Sequence, residues 1–125
     1  MKLRPLIPIL IVVAGIWAYH NSFQGPFIFD DVPSIPENLH IRNWWSIRDA
    51  MYVSPNLPVQ GRPVGSLTLA VNYAVGGLNV WGYHAFNLML HLACALVLFG
   101  LLRRTFEGET LRDRFSAVSI WLAAA

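Results

Sequence analysis

Charge is scarce in this chain. Only 13% of its 125 residues are Asp, Glu, Lys or Arg, about half the share usual in soluble domains. The formal net charge of +2 is too small and too scattered for a nucleic-acid partner. Cysteine is nearly absent as well. Cys94 stands alone, which excludes an intrachain disulfide, and in its apolar run it reads as a small packing residue. The four histidines and seven acids show no zinc or calcium spacing. No internal repeat and no low-complexity tract is visible.

What the chain has instead is apolar length. Hydrophobic residues make up 55%, and no charge falls between Arg4 and Asp30. A membrane helix needs roughly 17–25 residues, so the stretch from Leu3 to about Phe23 is long enough to cross. Pro5 and Pro8 fall in its first turns, where a missing N–H costs least. Trp17 and Tyr19 suit the far interface. A cleaved signal peptide is the competing reading, because Met1-Lys2-Leu3-Arg4 ahead of an apolar core has that shape. Its cleavage signal is poor, since bulky Ile16 and Trp17 follow Ala14-Gly15 and no Ala-x-Ala closes the run.

A second uncharged stretch runs from Pro63 through Leu102, too long for one crossing. Gly76-Gly77 and Asn79 divide it into an interfacial helix over 64–75 and a span over 81–102, which Arg103-Arg104 stops. A third apolar run begins at Phe115 and reaches Ala125. Its 11 residues fall short of the roughly 20 needed to cross. The expected order is a span over 3–23, an outer loop over 24–80, a span over 81–102, a cytoplasmic link over 103–114 and a truncated span over 115–125. Lys2, Arg4, Arg103, Arg104, Arg112 and Arg114 then lie on one side, which the positive-inside rule makes the cytoplasm.

Proline is plentiful in the outer loop, and residues before proline are pushed toward extended backbone. Most of the loop should therefore be irregular. One short helix is expected from about Asn43 to Tyr52, capped by Asn43, with Trp44, Ile47 and Met51 on one face. That face, with Trp45, suits either the membrane surface or packing against the spans.

Two features carry possible chemistry. Asp30 and Asp31 adjoin each other in Phe27-Ile28-Phe29-Asp30-Asp31. Neighbouring carboxylates repel and titrate apart, which is one way a site comes to hold a base at neutral pH. The plain alternative is a polar turn made with Val32-Pro33. In the second span, His84, Asn87 and His91 share one helix face. The plain reading is interhelical hydrogen bonding, preferred for His91. His84 lies at the outer end, on the side of the acidic pair, where a site is the other reading.

These residues in this order resemble a known family. Phe29-Asp30-Asp31, Ile35-Pro36-Glu37-Asn38, Arg62-Pro63-Val64, Leu69-Ala70-Val71-Asn72-Tyr73, Gly76-Gly77-Leu78-Asn79, Gly82-Tyr83-His84, Asn87 and His91 look like the N-terminal part of GT-C glycosyltransferases of the protein O-mannosyltransferase type. The nearest likeness is to the transmembrane and tetratricopeptide-repeat-containing O-mannosyltransferases and their bacterial relatives. The resemblance implies an all-α membrane protein, here the N-terminal fragment of a multi-span GT-C bundle whose extracytoplasmic first loop carries short interfacial helices.

It also implies an enzyme that moves a sugar, mannose in many members, from a polyprenyl-phosphate donor to an acceptor protein or glycan hydroxyl on the outer or lumenal side. The acceptor base of the family carries over onto Asp30, with Asp31 second. Yeast-type members have Asp-Glu there, and His-Pro where this chain has Arg62-Pro63. Arg62 and His84 are the expected donor-phosphate contacts; a structural arginine at a helix start is the alternative for Arg62. No cofactor or metal ligand is expected from the residues, and the need for a divalent metal is left open. The expected location is a bacterial inner membrane or the endoplasmic reticulum membrane, multi-pass, with the N-terminus cytoplasmic. The 125 residues alone are expected to insert without transferring sugar. The other readings are a non-catalytic membrane anchor of a repeat-containing interaction protein and a piece of a transporter.

Overall fold

The computed structural model describes residues 6–52 and 55–108. Among these, all regular structure is helical: α1 (Leu6–Tyr19), α2 (Asp31–Ser34), α3 (Ile47–Met51), α4 (Pro63–Gly76) and α5 (Val80–Glu107), with 3-10 turns at Ser22–Gln24 and His40–Arg42. The chain divides into two compact units, one of Asn21–Phe86 and one containing α1 and the part of α5 from Asn87 onward. The expected third apolar run over 115–125, with Arg112 and Arg114, lies outside the described residues.

In the second of these units, α1 forms from an unbroken apolar run with no buried residue. Its 14 residues extend about 21 Å at 1.5 Å each, less than the ~30 Å of a hydrocarbon core. The helix stops at Tyr19 and not at the expected Phe23. Just past its end, the His20 Nδ1–H donates to the Trp17 carbonyl at 2.6 Å, taking one of the carbonyls a helix end leaves open. Along α5, Gly15 meets Leu92: a Cβ on Gly15 would sit 2.5 Å from the Leu92 Cδ2. One turn further on, the rings of Tyr19 and His91 lie 5.6 Å apart, so His91 meets α1 through a ring contact.

α5 is the one helix among the described residues long and apolar enough to cross a membrane. Its 28 residues reach about 42 Å. It starts where the sequence breaks. Gly77 has φ +59°, a conformation open chiefly to glycine, and its N–H bonds to the Tyr73 carbonyl at 2.7 Å. The Asn79 side chain then accepts from the Trp81 N–H at 3.1 Å and caps the new helix. At the far end the arginines stop the apolar run but not the helix. Arg103 Nε donates to Glu107 Oε1 at 3.1 Å, one turn on, and positive charge suits a helix C-terminus. The expected link over 103–114 is therefore helical through Glu107.

The Asn21–Phe86 unit has a core of its own. Ile35, Ile41, Ala50, Ala70 and Tyr83 are buried, with Phe27, Leu67, Leu69 and Tyr73 packed against them. α4 turns its small residues Ser66 and Ala70 inward, one turn apart, which lets α3 and the His40–Arg42 turn pack closely on it.

The expected helix over Asn43–Tyr52 is shorter than the sequence suggested. Asn43 ends the preceding 3-10 turn, and the cap is Ser46, whose Oγ accepts from the Asp49 N–H at 3.3 Å. Ser46 has the extended backbone that a cap needs. Trp44 and Trp45 therefore precede the helix, stacked on each other at 3.9 Å, and the buried residue of α3 is Ala50. The loop is also less irregular than its prolines imply. Val32 is helical although Pro33 follows it, because Pro33 lies in the first turn of α2, where its missing N–H has no helical partner to lose.

Candidate functional site

The acidic pair stands at the start of α2, in the Asn21–Phe86 unit. The chain arrives there through Phe29, whose φ of +47° is uncommon for a bulky residue. That turn is fixed by two backbone bonds, Asp31 N–H to the Ile28 carbonyl at 3.0 Å and Val32 N–H to the Phe29 carbonyl at 3.2 Å. Asp30 then takes the cap position of α2 without using its side chain as a cap. Asp30 is exposed and Asp31 partly so. Neither carboxylate accepts a side-chain hydrogen bond or joins an ion pair among the described residues. The pair is thus a polar turn in shape, with its oxygens left open to a ligand or to water.

The other expected site residues come from different elements. Arg62 caps α4 and precedes Pro63, the first helical residue. Its φ of −120° and ψ of 66° avoid the helical region that proline denies its predecessor. The Arg62 carbonyl accepts from the Ser66 N–H at 3.0 Å, while the guanidinium is exposed and makes no ion pair with either aspartate. Position 62 therefore does what a helix-starting residue does, and its charge has no ion-pair partner among the described residues.

His84 is half-buried in the first turns of α5, and its Nε2 lies 3.0 Å from the Gly25 carbonyl. A carbonyl only accepts, so Nε2 carries the proton. The imidazole is thereby joined to a segment five residues ahead of Asp30. Of the four expected site residues, the structure ties the His84 element to the segment that leads into Asp30 and Asp31. It shows no direct bond between any of them and Arg62.

Two contacts flank that hydrogen bond. The rings of Phe23 and Trp81 lie 5.6 Å apart, and those of Phe27 and Tyr83 meet edge to face at 5.3 Å. The Tyr83 hydroxyl donates to the Gly77 carbonyl at 2.9 Å, which fixes the ring that Phe27 packs on. Sequence reasoning missed Phe23, Gly25 and Phe27. No periodic signal marked them, because Phe23 lies in the 3-10 turn Ser22–Gln24 while Gly25 leaves that turn with extended backbone.

It missed Arg42 too. That side chain donates to the Pro36 carbonyl at 2.9 Å and lies over the Tyr73 ring at 5.6 Å, within cation–π range. Near it, Asn38 is buried. Its Oδ1 accepts from the His40 N–H at 3.1 Å, while its Nδ2 has no partner. No three His, Cys, Asp or Glu side chains converge to hold a metal among the described residues.

No protein-family model matches the chain, and no solved structure does. Curated proteins do match. The chain is 34% identical over 95 residues to the protein O-mannosyl-transferase Tmtc3 of Drosophila melanogaster, covering 70% of this chain and 10% of that protein. It is 32% identical over 87 residues to the protein O-mannosyl-transferase TMTC2 of Homo sapiens, covering 63% and 10% respectively. Against the protein O-mannosyl-transferase F38B6.6 of Caenorhabditis elegans the identity is 27% over 128 residues, 94% of this chain and 17% of the relative. The chain thus spans between a tenth and a sixth of the length of these relatives. At 27–34% identity over 63–94% of its length, this chain is a TMTC-like segment, similar to part of the proteins named protein O-mannosyl-transferases.

Proposed function

We propose that the protein carrying this segment is an integral-membrane glycosyltransferase of the GT-C kind. It takes a sugar, mannose being the first to test, from a polyprenyl-phosphate donor and places it on an acceptor hydroxyl of a protein or glycan at the extracytoplasmic face. The observation that carries this reading is the similarity to proteins named O-mannosyl-transferases over most of the chain. The open carboxylates of Asp30 and Asp31 support it with suitable chemistry.

The reaction needs little from the protein except position and a base. An acceptor hydroxyl is a poor nucleophile until a positioned group takes its proton. Asp30, exposed and without a side-chain partner among the described residues, takes that proton as the acceptor oxygen bonds to the anomeric carbon. The bond from that carbon to the phosphate oxygen breaks, and the polyprenyl phosphate leaves with the electron pair. Asp31 is the second carboxylate of the site. Arg62 faces the leaving phosphate, a role suited to a guanidinium with free donors. α5 is one of several spans, the N-terminus is cytoplasmic, and the membrane is a bacterial inner membrane or that of the endoplasmic reticulum. Tetratricopeptide repeats further along the protein belong to the same reading.

The test is sugar transfer in membranes that contain the protein, with polyprenyl-phosphate mannose as donor. Asp30→Asn is expected to lower the rate at least about a hundredfold, the lower scale for loss of a general base. The amount of protein should hold steady, because the side chain is exposed and bonds to none of the described residues. Full activity at normal expression would pass the base to Asp31 or, if Asp31→Asn is also active, discard the aspartate-base mechanism.

A further inference from the structure

The segment Phe23–Phe27 touches α5 with every second residue. Phe23 packs on Trp81, the Gly25 carbonyl accepts from His84, and Phe27 packs on Tyr83. All six residues belong to the Asn21–Phe86 unit. Gly25 has an extended backbone, φ −62° and ψ 133°, and ends the 3-10 turn that carries Phe23. A Cβ on Gly25 would lie 3.1 Å from the Ser22 carbonyl oxygen, a tight contact, and at an ordinary 3.6 Å from His84 Nε2, so glycine suits the exit from the 3-10 turn. Beyond Phe27 only Ile28 and the left-handed Phe29 separate this clamp from Asp30.

We infer that His84 is a positioning residue for the acidic pair and not a contact to the donor phosphate. Its Nε2–H, bonded to the Gly25 carbonyl, holds the segment that delivers Asp30. The inference rests on the glycosyl-transfer reading for its effect on catalysis, but the clamp itself does not. With Nε2 committed to the Gly25 carbonyl, Nδ1 is the one ring nitrogen left to face a ligand.

The test compares His84→Leu and His84→Gln with the unchanged protein, in membranes and in detergent. Leucine removes the donor, whereas glutamine returns an amide N–H at about the reach of Nε2. Hydrogen exchange is read on peptides covering residues 23–31. Exchange is expected to rise about five- to tenfold in His84→Leu, the effect of one lost hydrogen bond, and to return close to normal in His84→Gln. Transfer kinetics should show kcat falling by a similar factor in His84→Leu, with the KM for polyprenyl-phosphate mannose unchanged and with rescue by glutamine. A loss seen in the transition state alone has this signature.

Unchanged exchange in His84→Leu overturns the clamp. Raised exchange with kcat untouched overturns the positioning role. A raised donor KM with kcat held makes His84 a phosphate contact and overturns the inference as well. Should Asp30→Asn prove fully active, the glycosyl-transfer reading at that residue falls, while the exchange data still decide the clamp on their own.

Discussion

Enlarging Gly15 should push α1 away from α5, and Leu92 should be the side chain that registers it. A Cβ at position 15 would stand 2.5 Å from the Leu92 Cδ2 and 3.7 Å from its Cγ. Ordinary carbon contacts lie near 3.5–4.0 Å, so Gly15→Ala demands a shift of about 1 Å from the leucine tip. Leucine can give that much by leaving its rotamer well, at a cost of order 1 kcal/mol. Gly15→Val adds a branched side chain to the same contact and should cost about 1–3 kcal/mol, the usual range for overpacking. The assay is cross-linking between cysteines placed at Tyr19 and His91, whose rings lie 5.6 Å apart, after the free thiol at Cys94 has been replaced by serine. Cross-linking should fall modestly with alanine and strongly with valine. Leu92→Ala should restore it in both backgrounds, because it removes the atoms in the way, and the recovery is a coupling energy of the kind double-mutant cycles isolate. Strict additivity of the Gly15 and Leu92 changes would refute the reasoning, as would equal cross-linking for glycine and valine.

Two further outcomes are expected. Ile41 is fully buried in the core of the Asn21–Phe86 unit, so Ile41→Ala should destabilise that unit by about 2–5 kcal/mol; limited proteolysis between 21 and 86 reads it, and unchanged resistance would speak against this core. For topology, a reporter active only outside the cytoplasm should work when fused at Asn56 and fail at Glu109, and the reverse pattern would overturn the assignment made from the basic residues.

The sequence carried the large helical features well. Uncharged length marked α5, and Gly76-Gly77 with Asn79 marked its beginning, because few residues other than glycine accept the φ of +59° found at Gly77. Pro63 marked the start of α4, since proline is favoured at a first helical position. The cap of α3 was harder to read. Asn43 and Ser46 both suit a cap, and the choice went to Ser46 because the 3-10 turn His40–Arg42 had already used Asn43 as its end. The charge stop at Arg103 misled in a similar way, since the ion pair with Glu107 carries the helix past the end of its apolar part.

At the site, the acidic pair was visible as two adjacent letters. Its surroundings were not, because they depend on contacts across 59 positions, the separation between Gly25 and His84. Periodicity reports what one element does; it does not say which carbonyl a distant histidine will find. The value of 23, 25 and 27 became plain only once Trp81, Tyr83 and His84 stood opposite.

The backbone at Phe29 has a consequence for how the acidic pair comes to exist at all. An L-residue with a side chain resists a left-handed φ by about 1–2 kcal/mol, and Phe29 adopts +47° with its ring 88% exposed, so its own burial returns little of that cost. The local sequence taken by itself prefers some other path. Its present course is imposed from either side, by Phe27 seated on Tyr83 and by Ile35 in the core. A free peptide of residues 25–36 would relax out of this turn and hold Asp30 and Asp31 in no fixed direction. The aspartates are local in the sequence, but their geometry is borrowed from the folded unit around them.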